Sequence, residues 1–519
     1  MSTGSENVRL SLSMIVKNEE RFLEGCLRSV EGIVDEIVIV DTGSTDGTEE
    51  IAQSFGATVI PFEWNNDFSA ARNESLNHTT GEWILYLDAD ERLAEGQTEA
   101  LRSLIQNTKT GAYRLIVRSE HQLPSGVIQQ LNPYPRLFRR HPAIRFEGKI
   151  HEQIGPSIEQ LGLKILPSTI VIDHLGYAQA EEVVTQKCLR NIALLRQELD
   201  AHPDDWYARF QLGNTLVVLQ RFDEARPEFE RSLLSHAVPP GIRSTILNLL
   251  AEIATRWGKG DEALRHCRES LRYAPQQIMA RWFAAAAHIT LGNFSDAVRE
   301  LHGVLDLILR AGDHPLMDIA YDITVTPAQV LSQIGRCHER NREHQKAANA
   351  FMRALKENHH STEALQGVAR VQGFLPDPKS VITQVETVWD ARPPSPELHV
   401  ALARMYRNIG DNEASTKHVH QAITLDPVNA QAYALAAQWS LEDGDIKAAE
   451  EVLSKAVMKG VTSRELDKTS LDLAVRTGNI PQALYHLDKM ISMLPPENLS
   501  LKNRLASVAA KLAAQSRVT

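Results

Sequence analysis

The chain has 519 residues, a mass of 57.9 kDa and a formal net charge of −11. Hydrophobic residues make up 43% and charged residues 23%, a balance that excludes wholesale disorder. The four cysteines are far apart and form no Cys-x-x-Cys pair, which argues against a disulfide framework and favours a reducing compartment. No segment approaches the roughly 18–20 apolar residues of a membrane span, and the start lacks a signal-peptide layout, so we expect a cytoplasmic protein.

The negative charge is concentrated in the N-terminal third of the chain. Through Tyr177 the sequence has 16 basic and 25 acidic residues, a formal charge of −9, whereas the remainder has 39 and 41, a charge of −2. Nucleotide sugars and phosphorylated substrates are anionic, so a ligand of that class requires a local positive charge in this third. A chain this acidic is a poor general nucleic-acid binder.

Apolar strands alternate with short helices in the first third. The pattern predicts strands over residues 10–16, 36–40, 58–61 and 83–87, and helices over 21–30, 48–55 and 70–78. Buried strands joined by helices are typical of a Rossmann-like α/β domain with a mainly parallel sheet. Polar segments 17–20, 41–47 and 88–90 follow three of the strands. Because ligands of open sheets lie at the carboxyl ends of the strands, we expect these segments to converge on a site.

The sequence from about residue 178 onward is helical and repetitive. One slot recurs at Ala225, Ala263, Ala297, Ala347, Val381, Ser415, Ala449 and Ala483, with steps of 38, 34 and 50 residues and then four of 34. Mostly small residues precede the slot by 12 positions, bulky apolar residues follow it by 4, and prolines follow it by 12 at Pro275, Pro427 and Pro495. Small residues let two helices approach closely, and a proline ends the second helix. The pattern resembles the tetratricopeptide repeat (TPR).

These patterns divide the chain into four parts. We predict a catalytic domain over residues 1–177, a connecting helix over 178–203, an all-α TPR superhelix over 204–498 and a capping helix over 499–519. The array contains about eight units, with a degenerate unit near 365–398 and an insertion near 305–328.

The triplet Asp88-Ala89-Asp90 directly after a predicted strand is the sharpest chemical signal. Two carboxylates at such spacing can share a divalent cation, and hard oxygen ligands suit Mn²⁺ or Mg²⁺. A cation held there can stabilise a diphosphate leaving group. Taken alone, the triplet is equally compatible with a solvated loop end.

Four segments around this triplet resemble the family 2 inverting glycosyltransferases of the GT-A fold. They span residues 12–20, 36–48, 71–73 and 81–91, and their order, spacing and strand placement agree with that family. The resemblance is greatest to the lipopolysaccharide-core-glucosyltransferase-like group, which is often fused to TPR arrays. It implies an enzyme that uses a nucleotide-diphosphate sugar, with a uridine diphosphate donor expected.

The resemblance also implies roles for individual residues. It implies a donor-nucleotide site formed by Val16, Asn18, Glu19, Asp41, Arg72 and Asp88. It implies a Mn²⁺ or Mg²⁺ site in which Asp90 is the principal carboxylate, joined by Asp88 and the late histidine His174. From the residues alone, Asp41 is also an ordinary turn residue, Arg72 an ordinary helix-surface arginine and His174 a structural histidine.

Basic and aromatic residues are interleaved between residues 135 and 152. One interpretation is a positive wall that faces the diphosphate and acceptor, formed by Arg136, Arg139, Arg145, Lys149 and His151. The other is an exposed basic strand pair. An inverting transferase requires a carboxylate that accepts the acceptor proton. Many family members supply it from a Glu-Asp pair that this sequence lacks, and the resemblance to the core-glucosyltransferase-like group implies Glu152 of His151-Glu152 as the base candidate. The alternative for Glu152 is a salt bridge with Arg145 or Lys149.

Phosphate-loop, dinucleotide and serine-hydrolase motifs are absent, as are the signature and membrane helices of processive polysaccharide synthases. We therefore predict transfer of one sugar per encounter. The acceptor, selected by the TPR groove, is a protein or peptide in the first hypothesis and a cell-surface glycan or lipid-linked molecule in a second. A third hypothesis is a catalytically degenerate scaffold. The sequence leaves the oligomeric state and a peripheral association with the inner membrane face open.

Overall fold

The computed structural model describes residues 9–107, 110–123, 126–175, 181–311, 325–389, 395–493 and 499–516. The predicted domain end at Tyr177, the repeat proline Pro495 and residues 312–324 of the predicted insertion lie outside these ranges. The chain forms two compact units, Met1–Thr326 and Pro327–Thr519.

The first unit begins with alternating strands and helices. These are β1 (Leu10–Val16), α1 (Leu23–Ser29), β2 (Glu36–Asp41), α2 (Thr48–Ser54), β3 (Thr58–Pro61), α3 (Phe68–His78) and β4 (Trp83–Tyr86). The elements β5 (Glu91–Leu93), α4 (Thr98–Ile105), β6 (Ala112–Leu123), β7 (Gly126–Arg139), α5 (Gly155–Gln160) and β8 (Ile165–His174) follow. Every predicted strand and helix of this part is present, with ends that differ by one or two residues.

The eight strands form one mixed sheet in the order β3-β2-β1-β4-β7-β6-β8-β5. Strands β3, β2, β1 and β4 pair in parallel, so their carboxyl ends lie at one edge. Strand β7 pairs antiparallel with β4, which brings Arg139 opposite Trp83 and Leu137 opposite Leu85. The predicted α/β fold is confirmed, and the antiparallel β7 decides which residues of segment 135–140 reach the site edge.

After β8, the regular elements in the described residues of the first unit are all helices. They are α6 (Glu181–Ala201), α7 (Trp206–Val218), α8 (Phe222–Leu233), α9 (Pro240–Arg256), α10 (Gly260–Tyr273), α11 (Ile278–Thr290) and α12 (Phe294–Ala311). Gly213 of α7 lies against the ring of Phe229 of α8, where an added Cβ would come within 2.5 Å of a ring carbon. The predicted close approach at the small slot is therefore confirmed for this pair.

The second unit continues the helical pairs. Its helices are α13 (Pro327–Arg340), α14 (His344–Glu357), α15 (Thr362–Val371), α16 (Pro378–Trp389), α17 (Pro396–Asn408), α18 (Asn412–Leu425), α19 (Ala430–Glu442), α20 (Ile446–Met458), α21 (Arg464–Arg476), α22 (Ile480–Ser492) and α23 (Leu499–Ser516). Phe351 lies against both Gly335 and Gly367, which repeats the packing of the first unit. None of the helices in the described ranges is long and apolar enough to cross a membrane.

Candidate active site

The loops after β1 and β2 are tied together at the carboxyl edge of the sheet. The Asn18 backbone donates to Ser44 Oγ (2.9 Å), and Asn18 Oδ1 accepts from the Thr45 backbone (2.8 Å). The carbonyl of Val16 accepts from the backbone and the hydroxyl of Thr42, both at 3.0 Å. Two of the three polar segments therefore converge, as predicted.

Asp41 stabilises the loop that follows β2. Its Oδ1 accepts from the Gly43 backbone (2.9 Å), the Ser44 backbone (2.8 Å) and the Ser44 hydroxyl (2.9 Å). These contacts are those of a turn residue. All three of these donors contact Oδ1 and none contacts Oδ2.

Arg72 occupies the centre of the candidate site. It lies on α3 and is only 6% exposed, which excludes the interpretation as a helix-surface arginine. Its Nη2 is 2.5 Å from Asp88 Oδ1, and its Nε is 2.6 Å from Glu152 Oε1. Burial alone would lower the pKa of Arg72, but Asp88 and Glu152 raise it well above its usual value. The guanidinium therefore stays charged and joins two carboxylates that are 64 residues apart in the chain.

A second buried arginine, Arg136, neutralises negative charge at the carboxyl end of β4. Arg136 is 7% exposed, and its Nη2 lies 2.6 Å from Glu91 Oε1 and 3.5 Å from Asp88 Oδ2. Its guanidinium also lies over the ring of Tyr86, 4.3 Å from the centroid. Burial would raise the pKa of Asp88, but Arg72 and Arg136 together lower it far below its usual range. Asp88 is therefore ionised, and Arg136 is not part of an exposed strand pair.

Asp90 and His174 face each other on the other side of the triplet. Asp90 Oδ2 lies 3.3 Å from His174 Nε2, and Ser119 Oγ lies 3.2 Å from His174 Nδ1. Burial would lower the pKa of His174, but the hydrogen bond and charge of Asp90, with Glu91 and Asp88 nearby, raise it. The late histidine therefore lies beside Asp90, and its role as a metal ligand stays a prediction.

Helix α3 holds the segment that carries Glu152. Asn73 forms two 2.9 Å hydrogen bonds with the backbone of Phe146, and Ser69 Oγ donates to the Gly148 carbonyl (2.6 Å). The Phe68 backbone donates to the Lys149 carbonyl at 2.8 Å. Because Arg72 lies on the same helix, these bonds bring Glu152 to its guanidinium. The ion pair of Glu152 is with Arg72, not with Arg145 or Lys149 as the alternative interpretation had it.

The structure does not bring all of the predicted basic wall to the site. Arg139 lies beside the start of β4, where it bonds to the carbonyls of Thr110 and Asn107. Arg145 turns to Asn77 near the end of α3 (3.1 Å). Lys149 is exposed, and its backbone carbonyl accepts the hydrogen bond from the Phe68 backbone that helps to hold this segment on α3. Of the predicted wall, Arg136 contacts Asp88, one partner of Arg72, and His151 directly precedes Glu152, the other partner.

His151 is a strained and unsatisfied neighbour of Glu152. Its backbone φ is 53°, in the left-handed region that residues other than glycine adopt rarely. Its Nε2 is buried and has no hydrogen-bond partner among the described residues. Burial lowers the pKa of His151, against the opposite effect of Glu152. A neutral imidazole with a free nitrogen therefore adjoins the base candidate, an arrangement common at ligand sites.

The contacts of Asp88, Asp90 and His174 indicate which of these predicted ligands could bind a metal ion. No three His, Cys, Asp or Glu side chains in the described ranges form a preformed metal site. Mg²⁺ and similar cations commonly keep one or two protein ligands and complete their shell with water and substrate phosphates. The adjacent Asp90 and His174 fit such a cation. Asp88 instead contacts two guanidinium groups, so its place in the predicted ligand set is not supported by its contacts.

Two features of the site escaped the sequence analysis because they belong to the helices after β8. Lys187 of α6 is close enough to Glu19 to lower its pKa, against the larger effects of burial and Asp90. Tyr207 of α7 accepts a hydrogen bond from Gln211 (2.7 Å), and Gln153, which follows Glu152, is near enough to oppose the rise in the pKa of Tyr207 that burial causes. No motif marks either residue, since both look like ordinary helical positions.

The ion pairs of Arg72 predict that replacing this residue strongly lowers the stability of the fold. In Arg72→Met, both Asp88 and Glu152 lose a charged partner, so the sheet should become less stable by about 3–5 kcal/mol. Amide hydrogen exchange of β4 measures this change.

Arg140→Met provides the matched control, because Arg140 is exposed and bonds one carbonyl, that of Gly81. It should change the stability by less than about 1 kcal/mol. Adding Glu152→Gln to Arg72→Met should recover part of the loss. Equal effects of the two arginine substitutions would contradict the central role of Arg72.

The raised pKa of Glu19 predicts that the stability of the fold depends on pH. Burial, with the charges of Asp90, Asp88 and Asp46, raises its pKa to about 7, while Lys187 opposes the shift. Because the folded-state pKa exceeds the unfolded one of about 4.3, Glu19 reduces stability as pH rises through the window between them. In EDTA, Glu19→Gln should therefore lose less stability than the wild type between pH 5 and pH 8, by about 1 kcal/mol after allowance for partial exposure. Parallel pH profiles in denaturant titrations would refute this expectation.

Comparisons with known proteins agree with this geometry. The model for glycosyl transferase family 2 matches residues 11–156, which include the carboxyl edge of the sheet, Arg72, Asp88 and Glu152, and a tetratricopeptide repeat model matches residues 192–242. A TPR repeat-containing protein of Synechococcus elongatus is 34% identical over 278 residues, which cover 52% of this chain and 68% of that protein.

More distant relatives and a solved structure also match. The SPbeta prophage-derived glycosyltransferase SunS of Bacillus subtilis is 28% identical over 231 residues, which cover 44% of this chain and 54% of SunS. The match thus spans about half the length of SunS. The crystal structure of a tetratricopeptide repeat protein from Parabacteroides merdae covers 52% of this chain and 98% of its own, with 18% identity and a TM-score of 0.36. On the first relative and the family 2 match, the chain belongs to the TPR repeat-containing proteins that carry a family 2 glycosyltransferase domain.

Proposed function

We propose that the protein is a metal-dependent, inverting glycosyltransferase that moves one sugar from a uridine diphosphate sugar to an acceptor selected by the repeats. The observation that carries this proposal is the assembly around Arg72. A donor-side carboxylate, Asp88, and a base candidate, Glu152, are held by one buried guanidinium, with Asp90 and His174 beside them. A degenerate scaffold would not need to keep buried charges in this arrangement, which is costly without a function.

The donor site is assigned to the carboxyl ends of β1, β2 and β4. The Asp41 loop and the Asn18 loop would receive the nucleoside, while Asp88 contacts the ribose. Asp90 and His174 would hold Mn²⁺ or Mg²⁺. When bound, the cation neutralises charge on the diphosphate as it leaves. Arg136 and Arg72 supply further positive charge in an otherwise acidic domain.

The acceptor reaction is assigned to Glu152. An acceptor hydroxyl attacks the anomeric carbon on the face opposite the diphosphate, and a new carbon–oxygen bond forms as the bond to the phosphate oxygen breaks. The bonding electrons leave with the diphosphate, and the hydroxyl proton passes to Glu152. Arg72 fixes Oε1 of Glu152, and the side chain is 13% exposed, so Oε2 is the oxygen offered to the acceptor. Attack from the opposite face inverts the anomeric configuration.

The repeats are assigned to acceptor selection, with a protein or peptide as the acceptor. The four cysteines are buried and unpaired, which supports function in the reducing cytoplasm. A single transfer per encounter is consistent with the family 2 domain.

A thermal-shift panel of nucleotides with Mn²⁺ tests the proposal. We expect uridine diphosphate species to stabilise the protein, by about 2.7 kcal/mol at a hundredfold excess over Kd, and EDTA to abolish the effect. Asp90→Ala should lose the stabilisation because the cation loses its carboxylate.

Asp472→Ala is the control substitution, since Asp472 forms an exposed helical ion pair with Arg476. It should leave the nucleotide-induced shift unchanged. Stabilisation that is indifferent to EDTA would contradict the metal assignment, and a panel without any binding nucleotide sugar would overturn the proposed function.

A further inference from the structure

Two prolines flank a tyrosine of β7 near the carboxyl edge of the sheet. Tyr134 lies between Pro133 and Pro135 and pairs with Leu115 of β6. A proline ring fixes its own φ and restricts the residue before it, so the backbone on both sides of Tyr134 has few alternative conformations. The tyrosine is therefore carried by a stiff stretch of strand.

A β-bulge joins this stretch to the candidate site. The pairing of β7 with β6 shifts register between Tyr113 and Arg114, which leaves Arg136 as the extra residue of the bulge. Bulges next to active sites commonly redirect a side chain. The Arg136 guanidinium lies 3.5 Å from Asp88 Oδ2 and 5.8 Å from the centroid of the Tyr134 ring. Tyr134 thus adjoins the donor-side carboxylate through one arginine.

The Tyr134 side chain is open to solvent and lines a concave part of the surface. The residue is 46% exposed. Burial nevertheless raises the pKa of its hydroxyl, while the charge of Arg136 lowers this pKa and that of Glu91 raises it. A side chain that water reaches while protein atoms surround it lines a cleft, and ligands bind in clefts with aromatic walls.

The same aromatic cluster connects this cleft to the base candidate. The guanidinium groups of Arg136 and Arg72 lie 4.3 and 4.9 Å from the centroid of one ring, that of Tyr86. Tyr134 adjoins the first guanidinium, and Glu152 is bonded to the second. A sugar that passes from a diphosphate to an acceptor at Glu152 must lie close to this cluster.

We propose that the exposed ring of Tyr134 is the surface on which the transferred sugar stacks and that this sugar is a neutral pyranose. This inference rests on the proposed function. The C–H groups on one face of a pyranose form an apolar patch that packs on an aromatic ring, and a ring already held in place binds at a lower entropic cost. Three carboxylates, those of Asp88, Glu91 and Glu152, adjoin the two guanidinium groups here, so the further carboxylate of a hexuronate would meet negative charge.

The test measures donor binding by the full-length protein in Mn²⁺, with isothermal titration calorimetry. The probes are uridine diphosphate (UDP), UDP-glucose, UDP-galactose, UDP-N-acetylglucosamine and UDP-glucuronate. For the neutral donor that binds most tightly, Tyr134→Ala should raise Kd about tenfold and leave the Kd of UDP unchanged. Tyr134→Phe should retain the wild-type Kd for both, because the ring and not the hydroxyl supplies the contact. UDP-glucuronate should bind more weakly than UDP-glucose, from which it differs only in the carboxylate at carbon 6.

A second exposed tyrosine provides the matched control. Tyr485 of α22 is 63% exposed, and its ring lies edge-on to that of His486. Tyr485→Ala should leave the Kd of UDP and that of the donor unchanged. A merely structural role of Tyr134 would weaken the binding of UDP and of the donor by the same factor in Tyr134→Ala, and this result would overturn the inference.

The failures of the inference and of the proposed function are separable. If the wild-type protein binds neither UDP nor any of the sugar nucleotides, the proposed function fails. If it binds UDP but none of the sugar nucleotides, or if Tyr134→Ala leaves the Kd of the donor unchanged, the stacking surface is overturned. Loss of transfer with unchanged donor binding would place Tyr134 on the acceptor side and would also overturn it. UDP-glucuronate bound as tightly as UDP-glucose would contradict a neutral pyranose.

Discussion

The architecture of the site depends on one buried cation, the Arg72 guanidinium. It forms ion pairs with two carboxylates. One is Asp88 at the end of β4, and the other is Glu152, whose segment is held on α3 by hydrogen bonds. The arginine could not be buried without these carboxylates, because an unpaired buried charge is costly. Since Asp88 belongs to the proposed donor side and Glu152 to the acceptor side, one residue fixes the relative position of both functions. The rings of Tyr86 and Phe146 lie beside the guanidinium, with centroids 4.9 and 5.6 Å from it.

The uneven charge of the chain has a structural meaning at this site. The catalytic third carries a charge of −9, and acidic side chains cluster where an anionic donor would bind. Arg72 and Arg136 neutralise Asp88 and Glu91, which leaves Asp90, His174 and Glu19 to face the ligand. Burial, and after it the charges of Asp90, Asp88 and Asp46, raises the pKa of Glu19 to about 7, while Lys187 opposes the shift. A divalent cation held by Asp90 and His174, as proposed, would offset negative charge at this edge where a diphosphate would bind.

The sequence predicted most of what is local and little of what is long-range. Strand ends, the converging polar loops and the Asp88–Asp90 triplet follow from hydrophobic patterns and spacing, as does the glycine slot filled by Phe229. The contact of Arg72 with Glu152 joins residues 80 positions apart. It depends on the hydrogen bonds that hold segment 146–149 on α3, and no rule of sequence spacing predicts those bonds. The antiparallel β7 decides that Arg136 points to the site while Arg139 does not. The burial of Ile150 in one core with Phe210 of α7 was not predicted, because no motif marks either residue.

The central claim is that Arg72 holds a donor carboxylate and an acceptor base together in the working enzyme. A crystal structure of the full chain with uridine diphosphate and Mn²⁺ tests it most directly. The account predicts the cation at Asp90 and His174, with Arg72 still bonded to both Asp88 and Glu152. A nucleotide bound away from the Asp88–Asp90 edge, or Glu152 released from Arg72 and turned away from the diphosphate, would contradict it.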